Sequence, residues 1–514
     1  MSNQVTLARN TNQALGIGQF AIDFLAGSFG PGPSEAVLER NQLFHTDAVL
    51  CGVSALALRT NAPTLLRTEA LEYPDPHGAA VIGGTAKVKA EKAIVANSSA
   101  VREWDSNGTN FGYNPGLGHT AGEFGHNDFY PVVIAACQQR GLDGATALRA
   151  MVLLDEIRGR LAEVFSLKTY KIDHVVHGAI ASAAVYAALL GGSAEQIESA
   201  IGMFVAHYIP WRAIRAGKQL SDSKGASAAI STEAAVLCAK RALAGFVGPK
   251  DIFRNPESMF RQFVKTSGDS PFDLVLSHSG DDFAVMGMHF KLGLYEHQSA
   301  GALQGCIDLL AANPELAEPG RIARVLIRAY EPAFGIIGDP AKRDPHTRQS
   351  ADHSMVYIVA TLLRKATEAN DSIKAAGSDE LWQTLMLSPY DYGQEAIQNP
   401  ATRAIMARIE FEHGGPEYDA RYPDGIPTSV VITTDDGRTL DSGLVMYPGG
   451  HARNTTADLK AILGKKFAMH GSLGVPDGGD VHALIERLGS LGTMSADQIA
   501  AIYDFEVASR PGYE

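Results

Sequence analysis

Apolar residues recur with a helical period through most of the first half of the chain. In residues 146–165, Leu148, Met151, Val152, Ile157, Leu161 and Val164 share one face, which predicts an amphipathic helix. The run GAIASAAVYAALLGG (178–192) is apolar all round and rich in Ala and Gly, the pattern of a closely packed buried helix. It is shorter than the roughly 20 residues that a bilayer crossing needs. Ser193 with Gln196, and Ser495 with Gln498, have the spacing of capping boxes and mark two helix starts. After about residue 288 the pattern changes. RVLIRAY (324–330) and AIMARIEFEHG (404–414) read as strands, and residues 428–448 as a hairpin turning at Asp436-Gly437. Between them, residues 353–369 return to helical spacing. The pattern therefore predicts a mainly α protein: a helical part over 1–288, an α+β module over 289–449, and a helical tail over 450–514 that packs back on the first part.

Composition narrows the function classes. The chain has 514 residues, enough for two to four domains. Its net charge is −13 and no basic run stands out, which argues against a nucleic-acid partner. Cys51, Cys137, Cys238 and Cys306 are scattered with no CxxC pair, so no zinc ribbon or clustered iron–sulfur ligand set is visible. So few cysteines, with no secretory pattern at the N-terminus and no membrane-length apolar run, lead us to expect a cytoplasmic protein.

Against that acidic background, REWDSNGTNFGYNPGLGHTAGEFGHND (102–128) interrupts the periodicity and gathers Asp105, His119, His126 and Asp128. Asp105 follows Trp104, and a carboxylate beside an aromatic wall tends to rise in pKa and become a usable base; the same residue can instead close an Asx-turn. Thr109 lies four residues on, where a hydroxyl can bind a carboxylate or cap a helix. His119 and His126 sit on Gly-rich backbone as candidate acids. In KIDHVVH (171–177), His174 and His177 are three apart, a spacing open to a metal pair or to an acid–base histidine beside Asp173. Arg212, Arg215, Lys218 and Lys224 form a local basic patch suited to a carboxylate, or simply a solvated face. Farther on come His297, Tyr357 on an apolar helix, and His451 with Arg453 in YPGGHARN.

HTDAVLCGVSALAL (45–58), REWDSNGT (102–109), Gly125-His126, KIDHVVH, DSKGASAA (222–229), EHQSA and YPGGHAR occur in the order of the MmgE/PrpD family. The chain resembles that family over roughly residues 45 to 460, most of all its 2-methylcitrate dehydratase branch. The resemblance implies a large all-helical domain built from both chain ends, a smaller α+β lid, an active site between them, and a homodimer. It also implies a hydro-lyase that needs no metal or organic cofactor and dehydrates a small polycarboxylic hydroxy acid of the 2-methylcitrate type. Related members decarboxylate cis-aconitate or epimerise iminodisuccinate, and a non-catalytic member would keep only the fold. The catalytic set expected on this sequence is Asp105, His126, His174, Lys224 and Tyr357. Thr109, Arg212, Arg215, Lys218 and His297 are expected to hold the substrate. Asp105 or His174 would take the proton α to a carboxylate, His126 would protonate the departing hydroxyl, and Lys224 with nearby arginines would hold carboxylates.

The chain departs from the family pattern in two places. The D-x-N-D-T segment reads Asp105-Ser-Asn-Gly-Thr109, so Gly108 stands where the second acid is expected. The stretch from Thr109 to His126 is also long, which makes His119 a rival to His126. Both departures are expected to sit where substrate binds.

Overall fold

A computed structural model describes residues 3–117, 123–215 and 219–511. The protein is mainly α. The Gly144–Val164 helix matches the amphipathic pattern, and both capping boxes form, at Ser193 and Ser495. The Ala-rich run becomes the Val175–Leu189 helix, buried along nearly its whole length. It packs against the Asp222–Leu243, Gly144–Val164 and Ala194–His207 helices, and small side chains are what let several backbones approach one helix. Among the described residues no single helix is long and apolar enough to cross a membrane.

The helical part is not purely helical. Gln4–Leu7 pairs with Leu274–Ser277, Pro74–Ala80 with Lys87–Val88, and Thr109–Phe111 with Glu123–His126, each antiparallel. Most of these strands are too short to carry a strong two-residue alternation, and Pro74–Ala80, with two prolines and a glycine, lacks one, so periodicity overlooks them.

The second part is built on a four-stranded sheet. Its order is Thr439–Asp441, Thr428–Thr434, Ile322–Ala329, Ile409–His413. Ile322–Ala329 is central, antiparallel to Thr428–Thr434 and parallel to Ile409–His413. Val325, Ile327 and Ala329 point inward, while Arg324 and Arg328 pair with Glu410 and Glu412 on the outer face. The predicted hairpin is present, with Gly437 at φ +84° taking the left-handed conformation its turn needs. Residues 404–414 divide, however: Pro400–Met406 is helical, and only Ile409–His413 forms a strand. The Met355–Ala369 helix appears where expected.

The tail returns to the first part. The Leu459–Gly474 helix packs along Glu35–Ala57. At their contact Lys466 Nζ lies 2.7 Å from Asp47 Oδ1, and both side chains are fully buried. Lys466 also donates to the Ser106 carbonyl. His470 contacts Ser54 Oγ at 2.8 Å and Ser106 Oγ at 3.2 Å, and Ser54 Oγ accepts from Trp104 Nε1 at 2.8 Å. The last long helix of the chain therefore holds residues 104–106 in place. Lys466→Met would strand the Asp47 carboxylate in the core, and urea denaturation is expected to show a loss of about 3–5 kcal/mol. Adding Asp47→Leu should recover much of it, whereas a single-variant loss under about 1 kcal/mol would show the pair to be dispensable.

Candidate active site

The Ala90–Arg102 helix ends at Arg102, and the next residues turn irregularly into the short Thr109–Phe111 strand. Thr109 pairs with His126 on one side. On the other side, Thr109 and His289 exchange two backbone hydrogen bonds, each of 2.9 Å. The Tyr295 N–H donates to the Asp105 carbonyl at 2.9 Å. These bonds bring residues 289–296 against the 102–109 segment. His174 sits immediately before the Val175–Leu189 helix. The Arg212–Arg215 turn is pinned beside it, with Asp173 N–H donating to the Pro210 carbonyl at 3.0 Å and Arg212 N–H to the Lys171 carbonyl at 2.8 Å. Lys224 lies in the first turn of the Asp222–Leu243 helix.

These pieces surround a cleft of about 610 Å³, open solvent included. Its walls carry the cations Arg102, Arg212, Arg215, Lys224 and Lys342, the histidines His126, His174 and His353, and the acids Asp105 and Glu296, with Gln298, Leu220 and Ile336. In a chain of net charge −13 this is a strongly cationic concavity.

Asp105 is its electrostatic centre. Only 1% exposed, the carboxylate contacts Lys291, Lys224 at 3.2 Å, Arg102 at 3.4 Å and His353 at 3.4 Å. Burial alone would push this carboxyl up, but Lys291, Arg102, Lys224 and His353 hold it well below the ordinary carboxylate range. Lys224 also reaches Asp352 at 3.1 Å, and Asp352 accepts from His353 Nδ1 at 2.6 Å. Burial and Lys224 push His353 down to about 4. Burial, with Arg102 and Lys291, also keeps His126 well below the usual imidazole value. Burial keeps His174 low against the pull of Asp173, with Arg215 and Arg212 adding to the depression.

The His126 and His174 rings meet edge to face at 5.5 Å. Arg102 Nη2 faces His126 Nε2 at 3.3 Å. A guanidinium only donates, so Nε2 accepts and the ring proton sits on Nδ1, which has no hydrogen-bond partner among the described residues. The empty cleft thus presents neutral imidazoles among fixed positive charges.

Asp105, His126, His174, Lys224, Arg212 and Arg215 come together in the cleft. Other expected residues do not line it. Thr109 is fully buried in the backbone bridge to His289. His297 stacks on His289 at 5.0 Å. Tyr357 donates its hydroxyl to the Asp391 carbonyl and packs within its helix's core face, because the apolar pattern around it turns the ring inward. Lys218 and His119 lie outside the described residues. His177 donates Nε2–H to the Phe165 carbonyl at 2.8 Å and is not among the residues that line the cleft.

Gly108 also departs from expectation. A Cβ there would sit 2.1 Å from Asn127 Oδ1 and 2.4 Å from the Phe44 ring, which stacks at 3.9 Å on Phe290. The missing acid is replaced by packing behind the cleft wall, and Gly108 is not among the cleft-lining residues. Lys291, Arg102, Asp352, His353, Glu296, Gln298 and Lys342 were not expected. Arg102 stands in the REWD stretch and Glu296 and Gln298 in EHQSA, whereas Lys291, Lys342, Asp352 and His353 come from segments that only folding brings near.

Among the described residues, Asp105, Asp352 and His353 place three possible ligand atoms within 4.8 Å of one another. Lys224 Nζ already contacts both carboxylates, and Lys291 and Arg102 add to its charge, so the positive charge a metal would supply there is present as side chains.

Comparison with known proteins agrees with this organisation. Residues 28–271 match the MmgE/PrpD N-terminal domain, and residues 296–478 the MmgE/PrpD C-terminal domain. The mitochondrial 2-methylcitrate dehydratase of Yarrowia lipolytica is 27% identical over 379 residues, covering 71% of this chain and 67% of its own. An alkylcitrate dehydratase, phiI, of a fungal species is 26% identical over 345 residues, covering 65% and 62%. The 2-methylcitrate dehydratase of Escherichia coli K12 is 26% identical over 329 residues, covering 62% of each chain. The chain thus spans about two thirds or less of the length of these relatives. With both domains matched in order across the cleft-forming residues, the chain belongs to the MmgE/PrpD family.

Proposed function

We propose that this protein is a hydro-lyase that removes water from a small polycarboxylic hydroxy acid of the 2-methylcitrate type, without a metal or organic cofactor. The carrying observation is the cationic cleft around His126 and His174, with Lys224 and three arginines placed to hold carboxylates. The names of its relatives support the same reaction class.

Dehydration needs a base for the proton α to a carboxylate, a donor for the leaving oxygen, and cations for the charge that builds on the carboxylate. Arg212, Arg215 and Lys224 supply the cations. Of the two candidate bases, His174 is the better placed. Asp105 is already committed to the cations Lys291, Lys224 and Arg102 and binds a proton poorly, while His174 is neutral and lines the cleft. Bound carboxylates raise its affinity for a proton at the moment it is needed. His126 presents Nδ1–H as a hydrogen-bond donor, and it becomes an acid in its own right only when bound carboxylates raise its pKa. The α+β part supplies Glu296, Lys342 and His353, and we assign it the role of a lid over the helical side. Assembly as a homodimer belongs to the same proposal.

Purified protein offered 2-methylcitrate or citrate is expected to generate the ultraviolet absorbance of a new conjugated alkene. Carbon dioxide release, or deuterium uptake without net conversion, would instead assign the decarboxylase or epimerase chemistry of the family. Lys224→Met should lower kcat/KM by about 10²–10³-fold, with thermal melting followed in parallel. Because the cleft histidines are depressed when empty and raised by a polyanion, ligand binding must take up protons. Titration calorimetry with citrate in buffers of differing ionisation enthalpy should show that uptake, with affinity falling as pH rises. Binding that is indifferent to pH and buffer would contradict this account of the cleft.

A further inference from the structure

Two side chains face the cleft from the turn that begins the Ala300–Ala312 helix, and the chemistry above uses neither. Glu296 is anchored by its backbone, whose N–H donates to the Asp352 carbonyl at 2.9 Å. Its Oε2 accepts the Gln298 N–H at 2.7 Å, and the carboxyl still lines the cleft. Gln298 is 1% exposed, and neither its amide oxygen nor its amide nitrogen has a hydrogen-bond partner among the described residues. A buried amide left wholly unpaired is costly unless a ligand completes it. An ionised Glu296 would repel a carboxylate, so Glu296 suits the neutral hydroxyl of a substrate, while Arg212, Arg215 and Lys224 suit its charged groups.

We propose that Glu296 holds the proton delivered to the departing hydroxyl oxygen, and that the Gln298 amide holds that oxygen in place. The inference rests on the dehydratase reading. The charged and titratable groups acting on Glu296 are Asp105, Lys291 and Lys342, with the buried Tyr330 phenol behind it. Burial, with the Asp105 charge, pushes its carboxyl up to about 7, so at neutral pH it retains a proton that the depressed histidines lack. The step balances. A base takes the proton α to a carboxylate, and the C–H electron pair becomes the second bond of the alkene. The carbon–oxygen pair leaves with oxygen, which takes the Glu296 proton and departs as water. The base loses its proton to solvent, and Glu296 regains one from solvent.

The test compares wild type, Glu296→Gln, Glu296→Asp and Gln298→Leu with 2-methylcitrate and citrate, with circular dichroism confirming each fold. Wild-type kcat is expected to fall on the alkaline side, at a pH above about 7 because bound carboxylates raise the Glu296 carboxyl further. Glu296→Gln should lose about 10²–10⁴-fold in kcat and lose that limb, with KM little changed, and Glu296→Asp should restore part of both. Exchange of the α-hydrogen with deuterium oxide should persist in Glu296→Gln, because the base remains. Gln298→Leu should raise KM for the hydroxy acid more than for the alkene product, which gives an independent readout should Glu296→Gln fail to fold. Wild-type dehydration with an unchanged kcat and pH profile in Glu296→Gln overturns the proposal alone, as does loss of deuterium exchange in that variant. A wild type that dehydrates no hydroxy polycarboxylate overturns the dehydratase reading and this inference with it.

Discussion

A carboxylate removed from water must be neutralised or paired, and Asp105 is the point at which this chain meets that requirement. Its partners arrive from four separate places: Arg102 at a helix end, Lys224 on the first turn of another helix, Lys291 in a loop, and His353 in the α+β part. Three of them are cations, and together they keep the buried carboxylate ionised. The pairing therefore fixes the relative positions of segments nearly 250 residues apart, and it makes the cleft cationic around an acid that is itself already satisfied.

That arrangement separates two tasks. Asp105 organises cations, and the charge not consumed by it remains for a ligand. The histidines beside it are kept neutral by the same burial and the same positive field, so the cleft holds unprotonated imidazole among cations. Glu296 answers to the opposite influence. Buried, and with the Asp105 charge acting on it, it is driven toward its protonated form. Groups with divergent proton affinities thus share one wall, the condition under which acid and base steps can proceed at one pH.

The support behind the wall is equally specific. Lys466 and His470, from the last long helix, hold the Trp104–Ser106 backbone from beneath. Phe44, Phe290 and Asn127 close the space at Gly108. Position 108 has no room for a side chain in this packing, so the acid expected there could not be accommodated without moving Phe44 or Asn127.

By itself the sequence determined the helices with strong periodicity, both capping boxes, the central strand and the Asp-Gly hairpin, because each depends on neighbours a few residues away. It also determined the ordered motifs containing Asp105, His126, His174 and Lys224. Tertiary structure alone decided that Lys291, Asp352, His353, Glu296 and Gln298 join them, and that Tyr357 and Thr109 turn instead into packing. The short ribbons and the split of residues 404–414 were likewise settled by long-range contact. The reason is physical: charge pairing and desolvation act through space, whereas periodicity records only which side of an element faces the core.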